Sequence, residues 1–146
     1  MDKFTIIANG AENRRGKNQA VAAKIAEYLK KHQKECVILP AGEKKEGQSY
    51  SYTDPERIPE GTECIIVLGG DGTLLQAARD VVDLDIPLFG INMGTLGYLT
   101  EIELSNLEDD ISQMLRGEYL YEERMMLEGI FENGHRDVAL NDIVVS

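Results

Sequence analysis

Residues 63–78 read "ECIIVLGGDGTLLQAA", and their interpretation decides the fold. The run from Glu63 to Leu68 is apolar on both faces, the pattern of a strand in a parallel sheet covered by helices on either side. Three glycines, an aspartate and a threonine follow, and an apolar helical period predicts a helix from about Leu74 to Val82. A glycine turn between a buried strand and a helix lies where open α/β sheets bind ligands, at the carboxyl ends of their strands. Glycines let backbone N–H groups come close to phosphate oxygens. The helix N-terminus adds partial positive charge, which suits an anion. Gly69, Gly70, Gly72 and Thr73 are therefore candidate phosphate-binding residues. Thr73 is also the expected N-cap, which leaves Asp71 one step outside the helix without a capping duty. A turn aspartate can simply bond its own backbone. Beside phosphates it would instead hold a magnesium ion or accept a proton from an attacking hydroxyl.

The flanking sequence alternates strand and helix. Phe4–Ala8 reads as a buried strand, 18–33 as an amphipathic helix with Val21, Ile25, Tyr28 and Leu29 on its apolar stripe, and 36–40 as a second strand. Residues 41–60 have no period and read as a surface loop of about twenty residues. A strand is expected over 86–91, and a helix over 104–115 with Ser105 and Glu108 spaced as a capping box. This order predicts an open, mostly parallel Rossmann-like α/β sheet with helices on both faces, filling a nucleotide-binding domain over 1–120. Over 121–146 the character changes. "RMMLEGIFENGHRDVALNDIVVS" predicts a hairpin about the two-residue turn Asn133-Gly134, and the chain then ends inside an apolar run, as though a β-rich domain were cut short.

Composition narrows the function classes. The 146 residues are 42% hydrophobic, enough for one core, and no apolar run reaches the length of a membrane span. No signal-peptide pattern is visible at the N-terminus, so a cytoplasmic protein without membrane attachment is expected. The net charge of −11 argues against a nucleic-acid partner. That charge is uneven: residues 1–45 carry 10 Lys/Arg against 5 Asp/Glu, and residues 46–146 carry 5 against 21. Lys17, Lys24 and Lys31 recur every seven residues, as on a solvated helix face. Cys36 and Cys64 lack metal-ligand spacing and read as free thiols. "GAENRRGKN" (10–18) has five residues where a Walker loop needs four between its glycine and "GK", and no G-x-G-x-x-G follows the first strand.

Two further constellations accompany the glycine turn. "GINMGTLGYLTE" (90–101) again follows a buried strand; Asn92 and Thr95 supply polar contacts, and Tyr98 offers an amphipathic ring able to stack on a base. In "ALNDIVVS" (139–146), Asn141 and Asp142 interrupt an apolar strand. One of the two should point inward and require a partner.

"GGDGT", "NMGTLGYL" and "LND", in this order and spacing, resemble the N-terminal half of NAD kinases. "GGDGT" alone is shared with diacylglycerol-type lipid kinases and, more loosely, with phosphofructokinases, which leaves a lipid or sugar kinase, or a non-catalytic nucleotide-binding module, as alternatives. The resemblance implies phosphoryl transfer from ATP to the 2′-hydroxyl of the adenosine ribose of NAD, giving NADP, with Mg2+ as cofactor and with polyphosphate as a further donor in some bacterial members. It implies that Asp71 is the proton acceptor, that Asp71, Gly72, Tyr98, Asn141 and Asp142 contact NAD, and that the full-length protein is a homo-oligomer. Gln76 stands where several members carry a basic residue. Members continue into a β-rich domain that completes the nucleotide pockets, so this chain alone is expected to have little or no activity.

Overall fold

The structure, a computed structural model, describes residues 1–8, 15–39, 53–93, 102–103, 107–120, 127–130, 132–134 and 136–139. Five parallel strands form one sheet: β1 (Lys3–Ile7), β2 (Glu35–Leu39), β3 (Cys64–Gly69), β4 (Leu88–Asn92) and β5 (Ile102–Glu103), in the spatial order β2-β1-β3-β4-β5. Among the described residues, three α-helices accompany them: α1 (Arg15–Lys31), α2 (Asp71–Asp80) and α3 (Leu107–Leu115). A separate antiparallel hairpin joins β6 (Leu127–Ile130) to β7 (Arg136–Ala139), and β7 lies against α2.

The period of two along each strand divides the core into two layers. Phe4 and Ile6 of β1 and Cys64, Ile66 and Leu68 of β3 face α1 and α3, meeting Val21, Ala22, Ile25, Ala26, Leu29, Ile111 and Met114. Ile7, Ile65 and Val67 point to the other face, against Leu74, Ala77 and Val81 of α2. Helices therefore cover both faces, and both faces of β3 are buried, as its unbroken apolar run required. Each fully buried Ile, Leu or Phe contributes about 1.5–3 kcal/mol relative to exposure.

The expected strands and helices shift by a few residues at their ends. Three differences go further. β5 was not expected: two residues pairing with Ile91 and Asn92 carry no sequence period of their own. The hairpin forms, but Asn133 and Gly134 sit within a longer connection between Ile130 and Arg136 rather than making a two-residue turn; Gly134 takes φ +84 there. The end of the 41–60 segment is ordered. Asp54 caps a 3-10 turn at Pro55–Arg57 by accepting from the Glu56 N–H at 3.0 Å, and Ile58 is buried in the α2 layer. Residues 41–52 and Ser105 of the expected capping box lie outside the described residues.

One buried polar pair interrupts the α2 layer. Thr62 donates its hydroxyl to the Pro59 carbonyl at 2.7 Å, so the 2.9 Å contact between Thr5 and Thr62 has Thr5 as donor. This chain satisfies a hydroxyl on the fully buried Thr5.

At the amino-terminal edge of the sheet, the Asp2 and Lys3 N–H groups both donate to one Glu63 oxygen, and Lys34 Nζ meets Asp2 Oδ1 at 2.6 Å. Those backbone bonds hold the Glu63 carboxyl below its ordinary value of 4.5, and the Lys34 bond holds Asp2 below 3.8. The unfolded chain binds protons at these two groups more readily than the folded one. Their contribution to stability is fully present above about pH 4.5 and is lost as pH falls through the depressed folded values. Denaturation midpoints should fall from pH 6 to pH 3, with a smaller fall in Glu63→Gln. An equal fall in that variant would remove Glu63 from the acid response.

Candidate active site at the glycine turn

The strand order reverses between β1 and β3. From β1 the chain crosses α1 to β2 on one side; from β3 it crosses α2 to β4 on the other. At such a switch point the two connections leave in opposite directions, and the carboxyl ends of the central strands open a crevice for ligands. Gly69 ends β3 and Asp71 begins α2, so the glycine turn lies on the β3 side of that switch point.

The local geometry turns donors outward. Gly70 is the N-cap, in extended conformation (φ −108, ψ −164), and its carbonyl accepts the first helical bond from the Leu74 N–H at 3.1 Å. Asp71, Gly72 and Thr73 are the first three helical residues, whose N–H groups have no partner in the preceding helical turn. Gly70 has no side chain with which to cap them. A Cβ built on Gly70 or Gly72 meets nothing within 4 Å, so an anion can approach the backbone at both positions.

Two expectations about this turn are corrected. Thr73 is not the N-cap, and Asp71 is not outside the helix; the helix starts three residues before the apolar period does. Placed third in the helix, Thr73 turns its side chain back over Gly69. A Cβ on Gly69 would stand 2.5 Å from Thr73 Oγ1, 2.7 Å from its Cβ and 3.0 Å from its Cγ2. Asp71 occupies the first helical position, where a negative charge is favoured by the helix dipole.

The turn is held from two sides. The Gly69 carbonyl accepts from the Met93 N–H at 3.1 Å, and Gly69 is in register with Asn92. On α2, Gln76 Nε2 donates to Asp80 Oδ1 at 2.6 Å, and Asp80 Oδ2 accepts from the Thr53 N–H at 2.7 Å. Gln76, at the position that departs from the resembled family, thus helps fix the 53–58 segment to the helix carrying Asp71. Asp80 was not singled out in the sequence. The Asp54-Pro55 pair, a cap followed by proline at the first helical position, was the readable signal that this segment is ordered.

Among the described residues, no group of three or more His, Cys, Asp or Glu side chains is arranged to hold a metal ion. Burial raises the Cys36 and Cys64 thiols to about 11 and about 12, well above a reactive range. Among the described residues, no helix is long and apolar enough to cross a membrane.

The profile of the ATP-NAD kinase N-terminal domain matches residues 6–119. The chain belongs to the NAD kinase family. It is 42% identical over its whole length to an NAD kinase of Lachnospira eligens, of which it covers 50%. It is 51% identical, over 58% of its length, to an NAD kinase of Moorella thermoacetica. The chain spans about half the length of the curated relatives it matches, 50% and 51% for two that align with all of it. Two solved structures share its fold. An NAD kinase from Archaeoglobus fulgidus in complex with ATP superposes with a TM-score of 0.63 at 21% identity, covering 97% of this chain and 46% of that one. Yeast NADH kinase complexed with NADH gives 0.62 at 14% identity, with 94% and 46% covered.

Of the three NAD kinase motifs, the structure places the first and the beginning of the second side by side. Gly69, Gly70, Asp71, Gly72 and Thr73 make the turn, and Asn92 pairs with Gly69 at the end of β4. Tyr98 and the pair Asn141 and Asp142 lie outside the described residues; β7, which ends two residues before Asn141, lies against α2.

Proposed function

We propose that this chain forms the donor-phosphate half of an NAD kinase site, in which ATP phosphorylates the 2′-hydroxyl of the adenosine ribose of NAD. The observation that carries this reading is the start of α2: an uncapped helix N-terminus flanked by side-chain-free glycines, at the sheet's switch point. The N–H groups of Asp71, Gly72 and Thr73 bind the ATP phosphates, with Gly69 and Gly70 shaping the turn. Asp71 accepts the proton of the ribose hydroxyl as O2′ bonds to the γ-phosphorus. The bond from that phosphorus to the β,γ-bridging oxygen breaks, and ADP leaves. Such a transfer needs positioning and charge neutralisation more than covalent help, so one carboxylate suffices. Mg2+ would be held largely by the phosphates and water and would neutralise phosphate charge at the turn, leaving the Asp71 carboxylate as the proton acceptor.

The remaining assignments follow the family. Tyr98 stacks on the nucleotide, and Asn141 and Asp142 bind the dinucleotide. Residues 1–120 form the nucleotide-binding domain, and 121–146 open a β-rich one, supported by the separate β6–β7 sheet. The protein acts in the cytoplasm as a homo-oligomer. The 146 residues alone, half the span of the relatives, turn over NAD slowly or not at all.

The test is transfer of radiolabel from γ-labelled ATP in the longest polypeptide the gene encodes, offered NAD, a diacylglycerol and fructose 6-phosphate in parallel. Label on the NAD ribose supports the reading. Label on the lipid or sugar instead, or on none of the three, contradicts it.

A further inference from the structure

The three glycines of the turn do different work: Gly69 has a positive φ of +157, Gly70 and Gly72 do not, and Thr73 separates them further. A Cβ at Gly70 or Gly72 meets nothing, whereas one at Gly69 collides with three atoms of the Thr73 side chain. Gly69 is also the residue that β4 grips through the Met93 N–H, so it is fixed in the sheet while Thr73 is fixed in the helix. We propose that Thr73 is a positioning residue: its side chain seats on Gly69 as a wedge that sets the angle between β3 and α2, and thereby aims the Asp71 and Gly72 N–H groups into the crevice. Thr73 acts by the shape of its branched side chain. Its hydroxyl lies on the Gly69 side of that contact and is not a ligand of the phosphates. The phosphate part of this inference rests on the function proposed above; the steric part does not.

These distances set out a mutant cycle. Gly69→Ala brings a methyl against Thr73. Adding Thr73→Ala removes Oγ1 and Cγ2 but leaves the Cβ, whose distance to the new methyl is still only 2.7 Å. Adding Thr73→Gly clears the contact and leaves only the backbone strain of an alanine at φ +157. In the 146-residue chain, thermal midpoints and the dissociation constant of ATP are measured for each variant. Gly69→Ala should weaken ATP binding about tenfold or more with Thr73 present, and far less in the Thr73→Gly background, as expected for two residues in contact. Thr73→Ala should restore little. Thr73→Val keeps a branched side chain without the hydroxyl, so Gly69→Ala should weaken ATP binding in that background about as much as it does with Thr73 present.

Equal effects of Gly69→Ala in the Thr73 and Thr73→Gly backgrounds would overturn the wedge. A much smaller effect of Gly69→Ala in the Thr73→Val background would overturn its independence of the hydroxyl. Should Gly69→Ala not fold, recovery of a cooperative melt by Thr73→Gly and not by Thr73→Ala reads the same contact. If the unmutated chain binds no ATP, the nucleotide reading fails, while the midpoints still decide the wedge.

Discussion

Asp71→Asn should lower NAD phosphorylation by about 10²–10⁴-fold, the range that a positioned general base contributes. The substitution is nearly isosteric and sits at the first position of α2, where removing a negative charge costs only about 0.3–1 kcal/mol of helix stability. The fold should therefore survive, and the loss should fall on turnover. Affinity for ATP should hold or improve, because a carboxylate beside the phosphates repels them and the amide does not. This split separates a catalytic Asp71 from two other roles. If Asp71 only shaped the turn, affinity and turnover would fall together. If the domain only bound nucleotide for regulation, phosphorylation by the full protein would be unchanged. Kinetics of the variant at saturating ATP, in the longest polypeptide the gene encodes, distinguish the three.

Phe4→Ala should be the most damaging single truncation in the sheet. Phe4 is fully buried in β1, in register with Cys36 on one side and Cys64 on the other, beneath α1. Deleting a buried phenyl ring removes its transfer free energy and leaves a cavity, about 3–5 kcal/mol together. In a domain of this size that corresponds to a fall of about 6–20 °C in the thermal midpoint. The ring is at the amino-terminal half of β1, far along the strand from the glycine turn, so a folded Phe4→Ala at low temperature should still bind ATP. A midpoint shift below about 2 °C would show that this layer does not carry the fold.

The strands of the fold could be read from the sequence because each buried strand is a short apolar run bounded by glycine, proline or charge. "CIIVLG" and "KFTII" have both faces covered, and nothing in them competes with the strand reading. The start of α2 could not be read in the same way. Apolar periodicity begins at Leu74, whereas the helix begins at Asp71 because the extended Gly70 sets its carbonyl to accept from the Leu74 N–H. The first turn consists of Asp, Gly and Thr, which are poor helix formers, so propensity pointed the wrong way. Thr73 was accordingly given a capping duty that Gly70 leaves unfilled. β5 escaped because its two residues are strand only by pairing with β4.

The candidate site divides along the same line. The glycine turn was legible because three glycines and a carboxylate between strand and helix stand apart from the apolar runs on either side. The switch point was not, since strand order depends on which side of β1 each crossover lands. The Gly69–Thr73 contact was also hidden: it spans four residues and depends on the angle at which α2 leaves the sheet. The Asp80 anchor of residues 53–58 joins positions 27 apart in sequence, with no motif to mark it.

Nucleotide phosphates are expected to sit on the N-terminus of α2. Titration of the uniformly labelled 146-residue chain with ATP, followed by amide chemical shifts, tests it directly. The Gly70, Asp71, Gly72 and Thr73 amides should move first and furthest, with Met93 following through its bond to Gly69. Shifts confined to the opposite edge of the sheet, around Asp2, Lys34 and Glu63, or spread along the lysine face of α1, would contradict it.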